Sequence, residues 1–349
     1  MAVSEVAAWF ADIGLEDRPE VGGKGGSLGE LQRAGIAVPP GFVIKTGAFR
    51  RFIEALERDA PVRSDIAALT GSDLSATVAR CNEIRARIES EAFPPAVLEE
   101  LTSAYSALCR GSGGPVAVRS SATSEDAVDA SFAGLQDTYL WVTDLNQTVQ
   151  RVRSCWASLY SPESVTYRRR RGLPEEAVAM AVVVQKMVDA RTAGVMFTRS
   201  PLTGDRSVVT VEGSWGLGSA VVGGEVTPDR WVLAKITGEI SVRNLSDKLI
   251  KHVPVPGGGT QSVSVPEDLR RAPCLSDAEL QALRTIARQV ERHYGRAQDI
   301  EWAVERGTDN LFLLQSRPET VWSAKESAPV ARPAADPLLH IMSIFGGKQ

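Results

Sequence analysis

Two carboxylates, an amide and a guanidinium fall close together in Asp299-Ile-Glu-Trp302 and Leu311-Phe-Leu-Leu-Gln-Ser-Arg-Pro318. Both stretches read as strands, with Gly307-Thr-Asp-Asn310 as the turn between them. Side chains alternate faces along a strand. Asp299 and Glu301 therefore share one face, and Gln315 and Arg317 share one face of the next strand. If those faces coincide, the polar groups meet at one place. Carboxylate and amide oxygens suit Mg²⁺, and a guanidinium suits phosphate. The same residues would also make a solvated hairpin face carrying a surface salt bridge.

Other segments carry weaker signals. Lys24 lies within Val21-Gly-Gly-Lys-Gly-Gly-Ser-Leu-Gly-Glu30, which reads as a glycine-rich loop entering a short helix ended by Gly35. Glycines let backbone N–H groups approach phosphate, and a lysine can neutralise its charge. The segment is neither a Walker A motif nor a dinucleotide fingerprint, and glycine-rich turns without ligands are common. Arg119 ends the hydrophobic strand Pro115-Val-Ala-Val-Arg119, where a charge needs a partner or a cleft. The hydroxyl-rich stretch after it, Ser120, Ser121, Thr123 and Ser124, then Ser131 and Gly134, suits either a phosphate cover or ordinary local capping. The backbone at Gln185 to Val188 could hydrogen-bond a nucleobase against Met187, or could simply end a strand.

The elements that must position these groups alternate between the two periodicities. Residues 46–108 read as mostly helical, with Phe49, Phe52, Ile53 and Leu56 on one face and Leu74, Val78, Cys81, Ile84 and Ile88 on another. Strands are expected at 138–142, 178–184, 193–198 and 208–212, with a hairpin centred on Gly238. Helices are expected at 145–160 and 277–292. The run Arg168 to Arg171 reads as a solvated basic surface. The resulting fold class is α/β (α+β), mixed sheets with helices in two lobes: residues 1–188 and residues 189–323. Residues 324–349 read as a tether ending in an apolar segment, 338–345, that would dock on its own domain or on a partner.

Composition narrows the function classes. The chain has 349 residues, 43% of them hydrophobic, and a formal net charge of -4. No long basic block is present, so neither nucleic acid nor an anionic membrane is the expected partner. The four cysteines are scattered without a CxxC pair, which fits a reduced, cytoplasmic protein without structural zinc. Three histidines are too few for a histidine-rich metal site. No apolar run is long enough to span a bilayer.

Seven segments in order carry a resemblance: Gly22-Gly-Lys-Gly-Gly-Ser-Leu-Gly29, Val38-Pro-Pro-Gly-Phe-Val43, Val118-Arg-Ser-Ser-Ala-Thr123, Ala130-Ser-Phe-Ala-Gly134, Gly194-Val-Met-Phe-Thr198, Trp215-Gly-Leu-Gly218 and Gln315-Ser-Arg-Pro318. With them the chain resembles, over about residues 18 to 322, the nucleotide-binding domain of the dikinase-type ATP-grasp enzymes. These include phosphoenolpyruvate synthase, pyruvate phosphate dikinase, rifampin phosphotransferase and the phenylphosphate synthases. The resemblance implies a two-lobed ATP-grasp fold that binds ATP and Mg²⁺. It implies that Lys24 and Arg119 contact ATP phosphates, that Thr123, Thr138 and the loop from Ser131 to Gly134 cover them, and that Gln185, Met187 and Val188 form the adenine hinge. Glu212 matches an acidic position beside the nucleotide. Glu301 and Gln315 match magnesium ligands, Arg317 a catalytic phosphate-binding arginine, and Asp299 a less certain contributor.

In enzymes of this kind ATP gives its β,γ-pyrophosphoryl group to a histidine on a swivelling domain, releasing AMP. The γ-phosphate then leaves, and the phosphohistidine serves a second substrate. None of His252, His293 or His340 has the context of that histidine. Either the sequence is a piece of a longer chain, or the expected partner is a separate subunit carrying the phosphohistidine domain and the site for a small-molecule phosphoryl acceptor. The phenylphosphate synthases resemble this division, which makes phenol the expected acceptor, with pyruvate or rifampin as alternatives. A nucleotide-binding regulatory module that transfers nothing is the competing class.

Overall fold

The computed structural model describes residues 4–69, 74–110, 114–123 and 137–323. Ser124, the loop from Ser131 to Gly134, most of the Gly111-Ser-Gly-Gly114 hinge, and the tail 324–349 with its segment 338–345 and His340 lie outside the described residues. The first sheet contains β1 (Ala7–Trp9), β2 (Gly41–Ile44), β3 (Val116–Ala122), β4 (Thr138–Val142) and β5 (Met180–Lys186). Its order is β1-β2-β5-β3-β4, with every neighbour antiparallel. The following strands are β6 (Ala190–Phe197), β7 (Val208–Trp215), β8 (Asp229–Ala234), β9 (Ile240–Asn244), β10 (Ile250–Pro254), β11 (Thr260–Ser264), β12 (Gln298–Glu305) and β13 (Leu311–Pro318). Six of them make a second antiparallel sheet, β13-β12-β6-β7-β8-β9, while β10 and β11 pair as a separate hairpin. That hairpin was not expected from the sequence.

Near-continuous apolar character in β5 follows from its place in the middle of the first sheet. Val182 and Val184 point into one core, and Ala181 and Val183 into another on the opposite face. The first of these cores is shared with α2 (Thr46–Leu56), α3 (Arg63–Ala68), α4 (Leu74–Ser90), α5 (Pro95–Cys109), α6 (Leu145–Ser158) and α7 (Pro162–Arg170). Phe52, Phe93 and Trp156 meet at its centre. Two patterning expectations need correction here. Leu74 and Val78 are exposed, and Thr77 takes the buried place beside Cys81, Ile84 and Ile88. The basic run closes α7 and is not all solvated: Arg168 is fully buried, pairing with Glu175 at 2.9 Å and donating to the Leu159 carbonyl. A buried guanidinium is tolerated only when it is paired in this way.

The second sheet is covered on one face by α10 (Asp277–Tyr294), which buries Leu280, Leu283, Ala287 and Val290. Ser276 and Glu279 form its capping box and Gly295 its left-handed C-cap, so both ends are set by sequence. Two further short helices are α8 (Ser219–Val222) and α9 (Glu267–Arg270).

The glycine-rich segment is not a loop. Residues Arg18–Arg33 form a helix, α1, broken by one kink at Gly22, where φ is 70° and ψ is 175°. Close packing accounts for the composition. A Cβ at Gly29 would fall on the Ile13 carbonyl, and one at Gly22 on the Ser121 carbonyl. Ser121 stitches the kink to β3: its Oγ donates to Val21 O at 2.9 Å and accepts from Gly25 N at 3.1 Å. Ser120 and Ser121 are thus fully buried strand residues, not parts of an open polar loop.

Helix α1 also ties the lobes together. Ser27 Oγ donates to Ser316 O at 2.6 Å, Leu313 N to Ala37 O at 2.9 Å, and Leu31 and Ile36 pack in the core of the second sheet. Gly22→Ala is expected to destabilise the fold by about 3 kcal/mol or more, combining a glycine-only backbone region with overpacking on β3. Chemical denaturation of the two proteins measures this; equal midpoints would show that the kink can be rebuilt.

Candidate active site

The two sheets face each other across a cleft of about 390 Å³, lined by β3, β4 and β5 on one side and β6, α8 and β12 on the other. The register of the β12–β13 hairpin decides the first expectation. Glu301 stands opposite Gln315, and Asp299 opposite Arg317. Directly opposed residues of an antiparallel pair share a face, so the four polar groups do lie together. Past Glu301 the register shifts, with Trp302 opposite Leu313. Leu314 is left as the extra residue of a bulge, its carbonyl turned out of the ladder.

Arg119 reaches from β3 across the cleft to that bulge. Its Nη1 donates to Leu314 O at 2.8 Å, and its Nη2 donates to Gln315 Oε1 at 2.6 Å and to Glu301 Oε2 at 3.2 Å. Arg119 is 7% exposed. A charge so placed requires these acceptors, since an unpaired buried ion costs several kcal/mol. Two side-chain oxygens thus accept from one cationic nitrogen. That is an observation in favour of a hard cation at Glu301 and Gln315. Among the described residues no cluster of three or more His, Cys, Asp or Glu is suited to a metal.

The remaining expected residues divide between the cavity and its surroundings. Thr138, Gln185, Met187 and Val188 line it with Arg119 and Glu301. Gln185 is buried and its side chain donates to Pro39 O at 3.2 Å, which is a structural use. Lys186 N and Met187 N already donate to Pro40 O and Pro115 O. A base at this edge would therefore use other groups of the segment. Lys24 is buried just after the α1 kink and is not part of the lining. Thr123, at the end of β3, is half-buried and also outside the lining. Arg317 lies on the rim with its side chain 59% exposed, its Nε 3.5 Å from Asp299 Oδ2. Glu212 shares a rung with Glu301 through Val195, but faces Arg230 at 3.7 Å. Burial raises its carboxyl pKa against the pull of Arg230.

Some lining groups were not anticipated. Leu140 follows Thr138 at strand spacing, and Ala303 follows Glu301, so period-two reading could have found both. The Leu314 carbonyl depends on a bulge that no side-chain pattern announces. Ser219 and Leu217 depend on how the segment after β7 turns back over the sheet. Of the histidines, His293 lies 2.5 Å from Glu30 and joins α10 to α1, a structural role. His252 lies on β10.

Residues 18–336 match the family model described as pyruvate phosphate dikinase, AMP/ATP-binding domain. The chain belongs to this family. Similar proteins include the probable phosphoenolpyruvate synthase of Staphylothermus marinus, 41% identical over 94% of this chain and 43% of that protein. The probable phosphoenolpyruvate synthase of Methanocaldococcus jannaschii is 40% identical over 90% of this chain and 26% of its own length. The phosphoenolpyruvate synthase of Aeropyrum pernix is 39% identical over 93% of this chain and 43% of its own length. The chain thus spans less than half the length of these relatives. The D-alanyl-alanine synthetase A structure from Vibrio cholerae aligns at 11% identity with a TM-score of 0.25, covering 69% of this chain and 55% of that one, a likeness too slight to inform the site. Membership agrees with the mixed, two-lobed ATP-grasp class expected from the sequence. Among the described residues no helix is long and apolar enough to cross a membrane.

Burial pushes the Asp299 carboxyl up to about 6; Arg317 pulls it down and Glu319 pushes it up. A folded-state pKa above the unfolded value means the native state holds the proton more tightly. The resulting stability is fully present below about pH 4 and is lost as pH rises through about 6. The difference in unfolding free energy between native protein and Asp299→Asn is expected to change by about 3 kcal/mol across that window. Titration of the Asp299 carboxyl by NMR is the direct check, and a midpoint near 4 would show an ordinary solvated acid.

Proposed function

We propose that this chain is the ATP-binding catalytic component of a dikinase-type phosphotransferase. The observation that carries the reading is Arg119 spanning the cleft to Glu301, Gln315 and the Leu314 carbonyl, at one end of a cavity whose other walls are mostly apolar, with Thr138, Gln185, Lys186 and Ser219 as polar exceptions. A nucleotide suits such a cavity: a flat apolar base and a polyanionic end. Glu301 and Gln315 would hold Mg²⁺, which when bound supplies charge neutralisation on the phosphates. The guanidinium of Arg119 then has phosphate oxygens as acceptors in place of the two side chains it now bonds. Lys24, at the first turn after the α1 kink, and Arg317, paired with Asp299 on the β12–β13 hairpin, would supply further positive charge in this reading. Positive groups aimed where charge develops are the main source of rate in phosphoryl transfer.

In the reaction proposed, a histidine nitrogen attacks the β-phosphorus of ATP. The bond from that phosphorus to the α,β-bridging oxygen breaks, AMP leaves, and the pyrophosphoryl group is carried by the histidine. That histidine belongs, in this reading, to a swivelling domain on a separate subunit. Neither described histidine is offered for the role, since His293 is engaged by Glu30 and His252 by Ser219 and Glu225. The names of the relatives favour pyruvate as the final acceptor. Phosphorylation of phenol to phenylphosphate is a second reading, and rests only on the proposed separate-subunit arrangement.

Calorimetry should show Mg²⁺-dependent ATP binding by the chain alone; its absence would remove the nucleotide reading. Glu301→Ala should weaken binding by about tenfold in the presence of Mg²⁺ and much less without it. Arg317→Ala should lower the transfer step by about a hundredfold while leaving ATP affinity within a few-fold, because an exposed rim charge acts most where charge develops. Rapid quench with labelled ATP, the partner and either pyruvate or phenol reads both the phosphohistidine and the acceptor. A purely regulatory module would label no histidine.

A further inference from the structure

The wall of the cleft opposite β5 carries a hydrogen-bonded relay. Ser219, on α8, lines the cavity, and its Oγ lies 2.8 Å from His252 Nδ1. His252 Nε2 lies 3.2 Å from Glu225 Oε2. The backbone fixes the relay as well: Leu217 N donates to His252 O at 3.0 Å, joining the segment after β7 to β10 as a β-bridge. His252 has only 12% of its side chain exposed, while Glu225 is half exposed. Two distant stretches of sequence are thus spent on holding one serine hydroxyl at the edge of the cavity.

Donor and acceptor logic sets what that hydroxyl can offer. An ionised carboxylate only accepts, so the Nε2 that faces Glu225 carries a proton, and the singly protonated ring leaves Nδ1 bare. Nδ1 is then an acceptor, and the Ser219 hydroxyl donates to it. The lone pairs of Ser219 Oγ are left for the cavity, where they suit a ligand that donates. Position identifies the donor. The hinge segment ends at Val188 and runs into β6 at Ala190, while the rung of Val195 carries Glu301 and the polar end. Gly218, next to Ser219, packs on Ala193 and Gly194, between these limits. At about 3.3 Å per residue the span from Ala190 to Val195 is roughly 16 Å, enough for a base, a sugar and the first phosphates in series. In the nucleotide reading, this puts Ser219 beside the sugar.

Resting on the nucleotide reading above, we propose that Ser219 is a specificity-determining residue that accepts a hydrogen bond from a ribose hydroxyl, with His252 and Glu225 as its positioning residues. The relay selects ribonucleotides over deoxyribonucleotides. The test is calorimetry of the full chain with Mg·ATP, 2′-deoxyATP and 3′-deoxyATP. The native protein should bind one deoxy analogue about tenfold more weakly than ATP, the loss expected of one well-held hydrogen bond. Ser219→Ala should bind ATP about tenfold more weakly and no longer distinguish that analogue. His252→Leu should do the same, whereas His252→Asn, whose amide oxygen can replace Nδ1 as acceptor, should restore discrimination. Equal weakening of all three ligands by Ser219→Ala, or unchanged discrimination, would overturn the proposal while leaving ATP binding in place. A native protein that binds none of the three would overturn the nucleotide reading and this one together.

Discussion

Arg119 sets the relation between the lobes. It is the residue of β3 that crosses the cleft, and its acceptors all come from β12 and β13. A guanidinium this buried is held by geometry as much as by charge, because its planar donors must meet oxygens in fixed directions. Those directions account for the local irregularity of the hairpin. The bulge after Glu301 frees the Leu314 carbonyl for Nη1 while Glu301 and Gln315 stay opposed to receive Nη2. The arrangement also places the cleft's polar end where both sheets contribute, so neither lobe could form it alone.

Helix α1 supplies the second constraint. Its glycines bring the backbone against Ile13 and Ser121, and Leu31, with Ile36 just beyond its end, enters the core of the other lobe. Lys24 therefore sits on a helix anchored at both ends, to β3 through Ser121 and to β13 through Ser27. A lysine on a mobile loop would lose conformational entropy each time it met a ligand; one on this helix has lost most of it on folding. The division of the chain into lobes is accordingly less clean in space than along the sequence.

The hairpin that gathers Asp299, Glu301, Gln315 and Arg317 was readable from alternation alone, because period two is a strong signal when polar residues interrupt an apolar strand. The central apolar strand and α10 were readable for similar reasons. What was not readable depended on tertiary packing. Glycines spaced for close approach look like glycines spaced for a loop, so only the later residues of α1 read as a helix and its first half reads as a loop. Arg168 looks like its basic neighbours, and only the fold brings Glu175 to it. Ser120 and Ser121 look like a polar loop, but the strand runs on through them and buries both. The β10–β11 hairpin has too weak an alternation to announce itself, and with it went the place of His252.

The two ends of the cleft differ in how they were built. The polar end uses long side chains from well-paired strands, whereas the apolar end is made largely by small ones: Ala117, Ala190, Ala193, Gly194 and Ala303. Ala303, two places along β12 from Glu301, and its β6 partner Ala193 lie on the same face as Glu301. Larger side chains there would satisfy the sheet equally well and would bury more apolar area. Their absence leaves a slot beside Met187 and Val188 that a flat ring can enter. A sheet face that gives up packing beside a convergent set of charged groups is shaped for a ligand with one apolar and one anionic end. Because the same strands carry both ends, the distance between them is fixed by strand rise rather than by loops. A ligand is thus measured along β6 as well as recognised at its tips.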